Sequence, residues 1–261
     1  HDGIDGAPAR AIIVDQRRAG VVSPASILAL ERPLRALYAD TVEARALGLD
    51  EDALGRRCSA CNGSGFSRLE MGFLPDVFTP CEVCGGTGCV PEAWDVRLQG
   101  IPLPEIYGRT LDEVWALFGT NPRLARPLAA AREVGLGYLV VRQPGYALSG
   151  GEAQRLKIAA ELCRPRRPET LYILDEPTLG QHLDDVARLV GVLRRLAGGG
   201  STVLVSEHHP RLLAACDWLV ELGPGGGPEG GRVIAEGPPE AVATLDTPTA
   251  PYLRAALEGA P

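Results

Sequence analysis

The sequence has one lysine (Lys157), one methionine (Met71) and only 5% aromatic residues among its 261 positions. Together with a surplus of alanine, glycine and proline, this reads as the mark of a GC-rich genome rather than of a function. No G-x-x-x-x-G-K-[ST] string occurs, and Lys157 falls inside a helical stretch. Without a phosphate-cradling loop and its lysine, the chain is not expected to hold a nucleoside triphosphate tightly by itself. No apolar run is long enough to span a bilayer. The opening residues, His1-Asp-Gly-Ile-Asp-Gly6, lack the basic and apolar regions of a signal peptide, and no initiating methionine precedes them. The expected location is cytoplasmic. Positive charge is scarce as well: the net charge of −7 excludes a chain-wide electrostatic glove for nucleic acid and leaves only local patches. Two candidates are Arg56-Arg57 and Arg164–Arg167, of which the first is the better. Apolar residues are plentiful at 45%, enough for one large domain or two small ones.

Seven cysteines without a secretory signal point to metal or free thiols rather than disulfides. Four of them form Cys58-x-x-Cys61, nineteen residues, then Cys81-x-x-Cys84. Each pair can place two thiolates on one ion, and two such knuckles complete the tetrahedron of a structural zinc. Glycines follow each pair (Gly63, Gly65; Gly86, Gly88) and let the backbone turn around the sulfurs. Cys89 is close enough to be an outside candidate ligand, while Cys163 and Cys216 read as ordinary small residues. The C-x-x-C-x-G-x-G pattern also resembles the zinc modules of Hsp40-type chaperones. That family carries more such repeats and has no counterpart of residues 148–210.

The most informative strings come next. Leu148-Ser-Gly-Gly-Glu-Ala-Gln-Arg155 sets a serine and two glycines ahead of a helical stretch, Glu152–Cys163. Backbone N–H groups and the positive end of a helix dipole then face an anion. Leu171-Tyr-Ile-Leu-Asp-Glu-Pro177 is a short apolar strand with two carboxylates at its C-terminal end, where open α/β sheets bind ligands. Of Asp175 and Glu176, one carboxylate suits a magnesium ion and its neighbour a water molecule. A further strand, Thr202–Ser206, ends in Glu207-His208-His209. At that tip His208 could contact a γ-phosphate, and His209 is expected to face solvent. Gln16, after a short buried strand at 10–15, could ligate magnesium or the attacking water. The pair of strings resembles the signature and Walker B motifs of ABC-type ATPases.

Along the chain, Ser23–Leu47 reads as mostly helical, with a serine cap and Pro24 just inside. Arg68–Phe78 reads as extended backbone packing the knuckles together. Thr110 caps a helix to Phe118, with Asp112 and Glu113 in its first turn, and a second helix runs from Pro122 to Val134. Tyr138–Val141 is a strand candidate. Strands at 171–174 and 202–206 alternate with helices at 152–163 and 183–197, which argues for a parallel sheet covered on both sides. Trp218–Leu222 and Arg232–Ala235 flank a glycine-rich turn and read as a hairpin. The expected fold is α/β, an ABC-type ATPase core that is incomplete, its Walker A half missing, with an inserted zinc module and a helical signature subdomain. The expected domains are residues 1–50 (remnant of the core with Gln16), 51–108 (zinc insert), 109–162 (signature subdomain) and 163–261 (core with Walker B and the histidine).

Taken together these residues resemble the second ATPase half of UvrA, the DNA-damage sensor of bacterial nucleotide excision repair. The resemblance spans nearly the whole chain. It rests on Val14-Asp-Gln16, the cysteine module with Glu70-Met-x-Phe-Leu-Pro-Asp-Val-x-x-Pro-Cys-Glu-Val-Cys84, Leu148–Arg155, Leu171–Thr178, Glu207-His208 and Asp217-Trp218…Leu222-Gly-Pro224. The resemblance implies that Asp175 holds Mg2+, Glu176 polarises water and His208 senses the γ-phosphate of ATP. Ser149, Gly150 and Gly151 would clamp nucleotide on an opposing ATPase half, and Cys58, Cys61, Cys81 and Cys84 would hold Zn2+. It implies as partners damaged duplex DNA, the first ATPase half of the same protein, a second copy in a homodimer, and UvrB. The sequence also departs from the family. A basic K-G-K-R-Y-like stretch after the last zinc cysteine is replaced by Gly85-Gly-Thr-Gly-Cys89, and a stretch after Gln16 by Val21-Val-Ser-Pro-Ala-Ser-Ile27. Weak DNA contact through Arg56 and Arg57 is therefore expected. Two alternatives stand beside the repair ATPase: a UvrA-like paralogue giving resistance to DNA-binding drugs, and a zinc-stabilised interaction module without ATPase activity.

Overall fold

A computed structural model of the chain describes residues 6, 8–16, 20, 22–73, 77–165, 168–226 and 230–259. The strands are β1 (Arg10–Val14), β2 (Phe66–Leu69), β3 (Val77–Pro80), β4 (Arg97–Leu98), β5 (Ile101–Pro102), β6 (Thr170–Asp175), β7 (Thr202–Ser206), β8 (Leu219–Gly223) and β9 (Arg232–Gly237). The helices are α1 (Pro24–Ile27), α2 (Glu31–Ala39), α3 (Val42–Ala46), α4 (Glu51–Leu54), α5 (Leu103–Tyr107), α6 (Leu111–Phe118), α7 (Pro122–Glu133), α8 (Gly150–Cys163), α9 (Leu183–Ala197), α10 (Pro210–Leu213), α11 (Pro239–Val242) and α12 (Ala250–Leu257). They fall into two compact units, one of His1–Asp15 with Arg166–Pro261, the other Gln16–Pro165. No helix among the described residues is long and apolar enough to cross a membrane.

The first unit is built on a parallel sheet of order β1-β6-β7. Its register aligns Val14 with Leu174 and Leu174 with Val205, and aligns Ile13 with Ile173 and Ile173 with Leu204. Opposed residues share a face, and the two faces differ. Val14, Tyr172 and Leu174 are buried, whereas Ile13 is 70% and Leu204 56% exposed. The expected sheet covered on both sides is thus covered on one, and the strand expected to be buried at 10–15 keeps only Val14 inside. The covering layer is α9, whose Val186, Leu189, Val192 and Leu193 recur at helical spacing and are all buried. The antiparallel β8–β9 hairpin, together with α11 and α12, closes a second small core around Ala235, Val242, Ala243 and Leu253.

The second unit is helical, with a glycine-rich insert. Ser23 caps α1, accepting from the Ser26 N–H at 3.3 Å, but the helical stretch expected from Ser23 to Leu47 is broken into α1, α2 and α3. Thr110 starts α6 through a reciprocal capping box with Glu113. The remaining orphan donors of that first turn find carbonyls in the segment before α8: Leu111 N donates to Leu139 O (2.9 Å) and Asp112 N to Gly137 O (2.8 Å). This pairing is why Tyr138–Val141, expected as a strand, forms turns with one isolated bridge at Val140. Its carbonyls serve a helix end instead of a sheet. In the insert, β2 and β3 pair as an antiparallel hairpin.

Candidate functional site

In the helical unit the four knuckle cysteines converge. Their sulfurs all lie within 4.8 Å of one another, with Cys58 to Cys81 at 4.0 Å and Cys61 to Cys84 at 3.7 Å. A zinc–thiolate tetrahedron with bonds of about 2.3 Å has sulfur–sulfur edges of about 3.8 Å, so the quartet fits this ion. The turn glycines donate to the sulfurs, Gly65 N to Cys61 Sγ at 3.3 Å and Gly88 N to Cys84 Sγ at 3.2 Å. Burial pushes the Cys61 thiol up, but the N–H groups of Gly65 and Gly63 and the neighbouring thiols outweigh it and bring it down to about 7. Burial prevails at Cys84, which is pushed up to about 11. Cys89 is outside the quartet. Its Sγ lies 3.6 Å from Thr87 O and 3.6 Å from Arg142 Nη1, and burial raises its pKa.

Arg142 was not singled out by sequence, yet it ties both knuckles down. Its Nη1 donates to Thr87 O (2.7 Å) and its Nη2 to Gly63 O (3.1 Å), while the guanidinium sits 4.9 Å from the Tyr107 ring centroid. Phe66 and Phe78 of the hairpin pack on Tyr146, the latter pair stacked at 4.0 Å. Arg56 and Arg57 are exposed and line a cavity of about 610 Å³ with Arg35, Arg142 and Glu31. Of the second basic cluster, Arg164 donates to Glu161; Arg166 and Arg167 lie outside the described residues, as do Val21 and 74–76.

The Ser149 loop forms a capping box in this structure. Ser149 Oγ accepts from Glu152 N (3.2 Å) and Ser149 N donates to Glu152 Oε2 (2.7 Å). Burial would raise the Glu152 pKa, but the Tyr138 hydroxyl, donating at 2.6 Å, and both Ser149 groups together lower it. The box occupies part of the anion-binding capacity expected here. A Cβ on Gly150 would meet the Gln16 carbonyl at 3.0 Å, so the glycine lets this loop lie against Gln16. Two of the residues named from sequence are thereby brought side by side.

In the sheet unit, Asp175 ends β6 and is exposed. Glu176 follows in left-handed backbone (φ 41°), with its N–H donating to Ser206 O at 2.9 Å. The turn aims its carboxylate at the neighbouring strand tip, where His208 Nδ1 lies 3.9 Å from Glu176 Oε1. His208 is the exposed histidine. His209, expected to face solvent, is half-buried and stands immediately before α10. Beneath them lies Glu207, which sequence reasoning passed over. Its side chain is 0% exposed. Burial alone would raise its pKa, but the Thr178 hydroxyl and the N–H groups of His209, His208 and Thr178 lower it. Nothing in composition or spacing marks this residue, because three of its four donors are backbone groups.

No family model matches the chain. The chain is 44% identical over 236 residues to UvrABC system protein A of Thermus thermophilus, covering 88% of this chain and 25% of that relative. The protein of the same name from Methanothermobacter thermautotrophicus is 41% identical over 256 residues, 95% of this chain and 27% of the relative. The crystal structure of UvrA2 from Deinococcus radiodurans superposes with a TM-score of 0.88 at 42% identity, covering 96% of this chain and 32% of that one. The chain therefore spans about a quarter of the length of the curated relatives it matches. Sequence and fold agree over almost all of its residues, and the chain belongs to the UvrA family.

Proposed function

We propose that the chain is the C-terminal part of a UvrA-type ATPase that binds DNA and detects damage in nucleotide excision repair through ATP binding and hydrolysis. The observation that carries this reading is the approach of His208 Nδ1 to Glu176 Oε1, 3.9 Å, at the C-terminal edge of the parallel sheet. Asp175 would hold Mg2+, which when bound neutralises phosphate oxygens, and the role proposed for Gln16 is to ligate magnesium or the attacking water. Glu176 would accept a hydrogen bond from the attacking water and draw on its proton. His208, exposed at the strand tip, would donate to a γ-phosphate oxygen. Ser149, Gly150 and Gly151 would close on nucleotide held by the opposing ATPase half, with the first-turn N–H groups of α8 directed at phosphate. Cys58, Cys61, Cys81 and Cys84 would hold one structural zinc.

The partners proposed on the same reading are damaged duplex DNA, the first ATPase half of the same protein, a second copy of it, and UvrB, with the cytoplasm as location. A second reading has its own support. The loop after the last knuckle, Gly85–Cys89, carries no charge where a phosphate-binding stretch would be basic, which suits a paralogue that protects against DNA-binding drugs. The test of the main reading is hydrolysis by the full-length protein. Glu176→Gln is expected to lower kcat by about 100-fold or more, and damaged duplex should stimulate the wild type more than undamaged duplex does. Unchanged hydrolysis in the variant refutes the ATPase assignment. Stimulation by an intercalating drug but not by lesions would favour the paralogue.

A further inference from the structure

We propose that Glu207 is a positioning residue of the hydrolytic site, its carboxylate clamping the loop after Glu176 to the loop that carries His208. The inference rests on the ATPase reading above and adds to it the element that sets the distance between the two groups. One oxygen, Oε1, accepts from Thr178 N at 2.9 Å and from the Thr178 hydroxyl. The other, Oε2, accepts from His208 N at 2.6 Å and His209 N at 3.0 Å. The two oxygens thus face two different loops, and the carboxylate is the bridge. Glu176 lies two residues before the first attachment and His208 is itself the second.

Three features make this more than a filled space. The side chain is wholly buried, so water cannot substitute for it. Each oxygen takes two donors, close to the full acceptor capacity of an ionised carboxylate. Bonds to an ionised acceptor are roughly twice as strong as neutral ones, which suits a clamp. Glu176 is also pinned from its other side, by its N–H on Ser206 O at 2.9 Å. The loop therefore has one fastening to β7 before Glu176 turns and another to Glu207 after it. Glu207 Oε2 lies 3.7 Å from His208 Nδ1, so two carboxylates flank the same side of the imidazole.

The isosteric amide should behave in a specific way. Glutamine fills the same volume but has one accepting and one donating end. It can satisfy Thr178 or the histidine N–H groups, not both, and would turn an NH2 toward donors on the other side. If Glu207 only fills space, Glu207→Gln is silent. If it clamps, the catalytic pair drifts apart, and displacements of about 1 Å cost up to about 100-fold in rate.

The experiment is steady-state ATP hydrolysis by the full-length protein, scaled to nucleotide-binding sites titrated in the same preparation, with zinc content and melting temperature checking the fold. Glu207→Gln should lower kcat by about 10- to 100-fold while KM for ATP moves by about twofold or less. Thr178→Val should lower kcat by a smaller factor, and the double variant should be no slower than Glu207→Gln alone, because both act through one bond. Wild-type kcat in Glu207→Gln, or losses that multiply in the double variant, would overturn the proposal. If Glu207→Gln does not fold, Thr178→Val decides: a lowered kcat at unchanged KM supports the clamp and a wild-type kcat ends it. Glu176→Gln run alongside separates the two claims. Loss there with no loss in Glu207→Gln sinks this inference alone, and no loss in Glu176→Gln sinks the ATPase reading itself.

Discussion

The helical unit closes a core of its own, whereas the sheet unit leaves one face open. The largest fully buried side chains, from Leu30, Leu34 and Tyr38 to Leu148 and Leu156, all lie within Gln16–Pro165. Both capping boxes and the cysteine quartet are there too. The sheet unit shows the opposite balance: Ile13 and Leu204 are exposed on one sheet face, and Val220, Leu222 and Val233 are 53–64% exposed on the hairpin. The two units differ, then, in the chemistry each can complete alone. Zinc binding needs only residues of the helical unit. The proposed hydrolysis needs a phosphate cradle, and the sequence contains no G-x-x-x-x-G-K-[ST] string to form one.

The sharpest way to break this contrast is to ask the 261-residue chain to hydrolyse ATP unaided. Background turnover and weak nucleotide binding are expected, because no loop with its lysine holds the phosphates. Robust turnover by this chain, abolished by Glu176→Gln, would show that its residues complete a site and that the contrast is false. The second test removes the zinc ligands. The purified chain should carry one zinc, and Cys58→Ser or Cys81→Ser should lose it. Structural zinc contributes about 10–16 kcal/mol of apparent folding free energy in small zinc domains, so the β2–β3 hairpin should lose amide protection outright. Amides of β6 should stay protected. A folded, metal-free protein by elemental analysis would end the zinc assignment, and loss of protection in β6 would show the units to be cooperative.

The features legible in the sequence were those encoded by near neighbours. Two C-x-x-C knuckles announce one metal because each pair is a local turn. Thr110, with Asp112 and Glu113 after it, announces a capped helix start, and the strand–helix alternation around Asp175 announces a parallel sheet. The features that stayed hidden depend on partners far along the chain. Tyr138–Val141 has a strand's composition, but its carbonyls cap the first turn of α6. Arg142 looks like any surface arginine, yet it reaches back to Gly63 and Thr87 beneath the knuckles. Glu207 stands in plain sight between a strand and a histidine, and its donors are a threonine 29 positions away and two backbone N–H groups. The open face of the sheet escaped notice for a related reason: residue types that suit burial do not say whether a second layer is present.

DNA offers a milder test, since the chain as a whole carries a net charge of −7. The isolated chain should bind duplex weakly and with strong salt sensitivity. Arg56 and Arg57 are exposed beside the first knuckle, and each phosphate contact contributes about 0.9 to the slope of log affinity against log salt. Replacing both with alanine should reduce that slope by about two at most. Tight binding that persists in high salt, or a slope indifferent to the double change, would mean that the insert meets DNA through other groups.

The smallest effect expected is at the start of α8, and its sign follows from the capping box. Glu152 accepts from Ser149 N and from the Tyr138 hydroxyl, and these bonds hold its pKa below the ordinary 4.5 despite its partial burial. A carboxyl whose pKa is depressed by folding stabilises the fold above its unfolded pKa and ceases to do so as pH falls through the folded value. The contribution should therefore be complete at neutral pH and disappear below about pH 4.5. Ser149→Ala removes the reciprocal cap and should cost about 1 kcal/mol at neutral pH. In acid that cost should shrink, because the Glu152 half of the box is then protonated. The corresponding change at the other box, Thr110→Ala, provides a control, since Glu113 there is likewise held low by the Thr110 N–H and hydroxyl but is fully exposed and has no tyrosine donor. Urea melts of both variants on either side of the carboxylate range would measure this. A Ser149→Ala cost that is the same in acid as at neutral pH would show that the serine hydroxyl stabilises the cap without help from the Glu152 carboxylate.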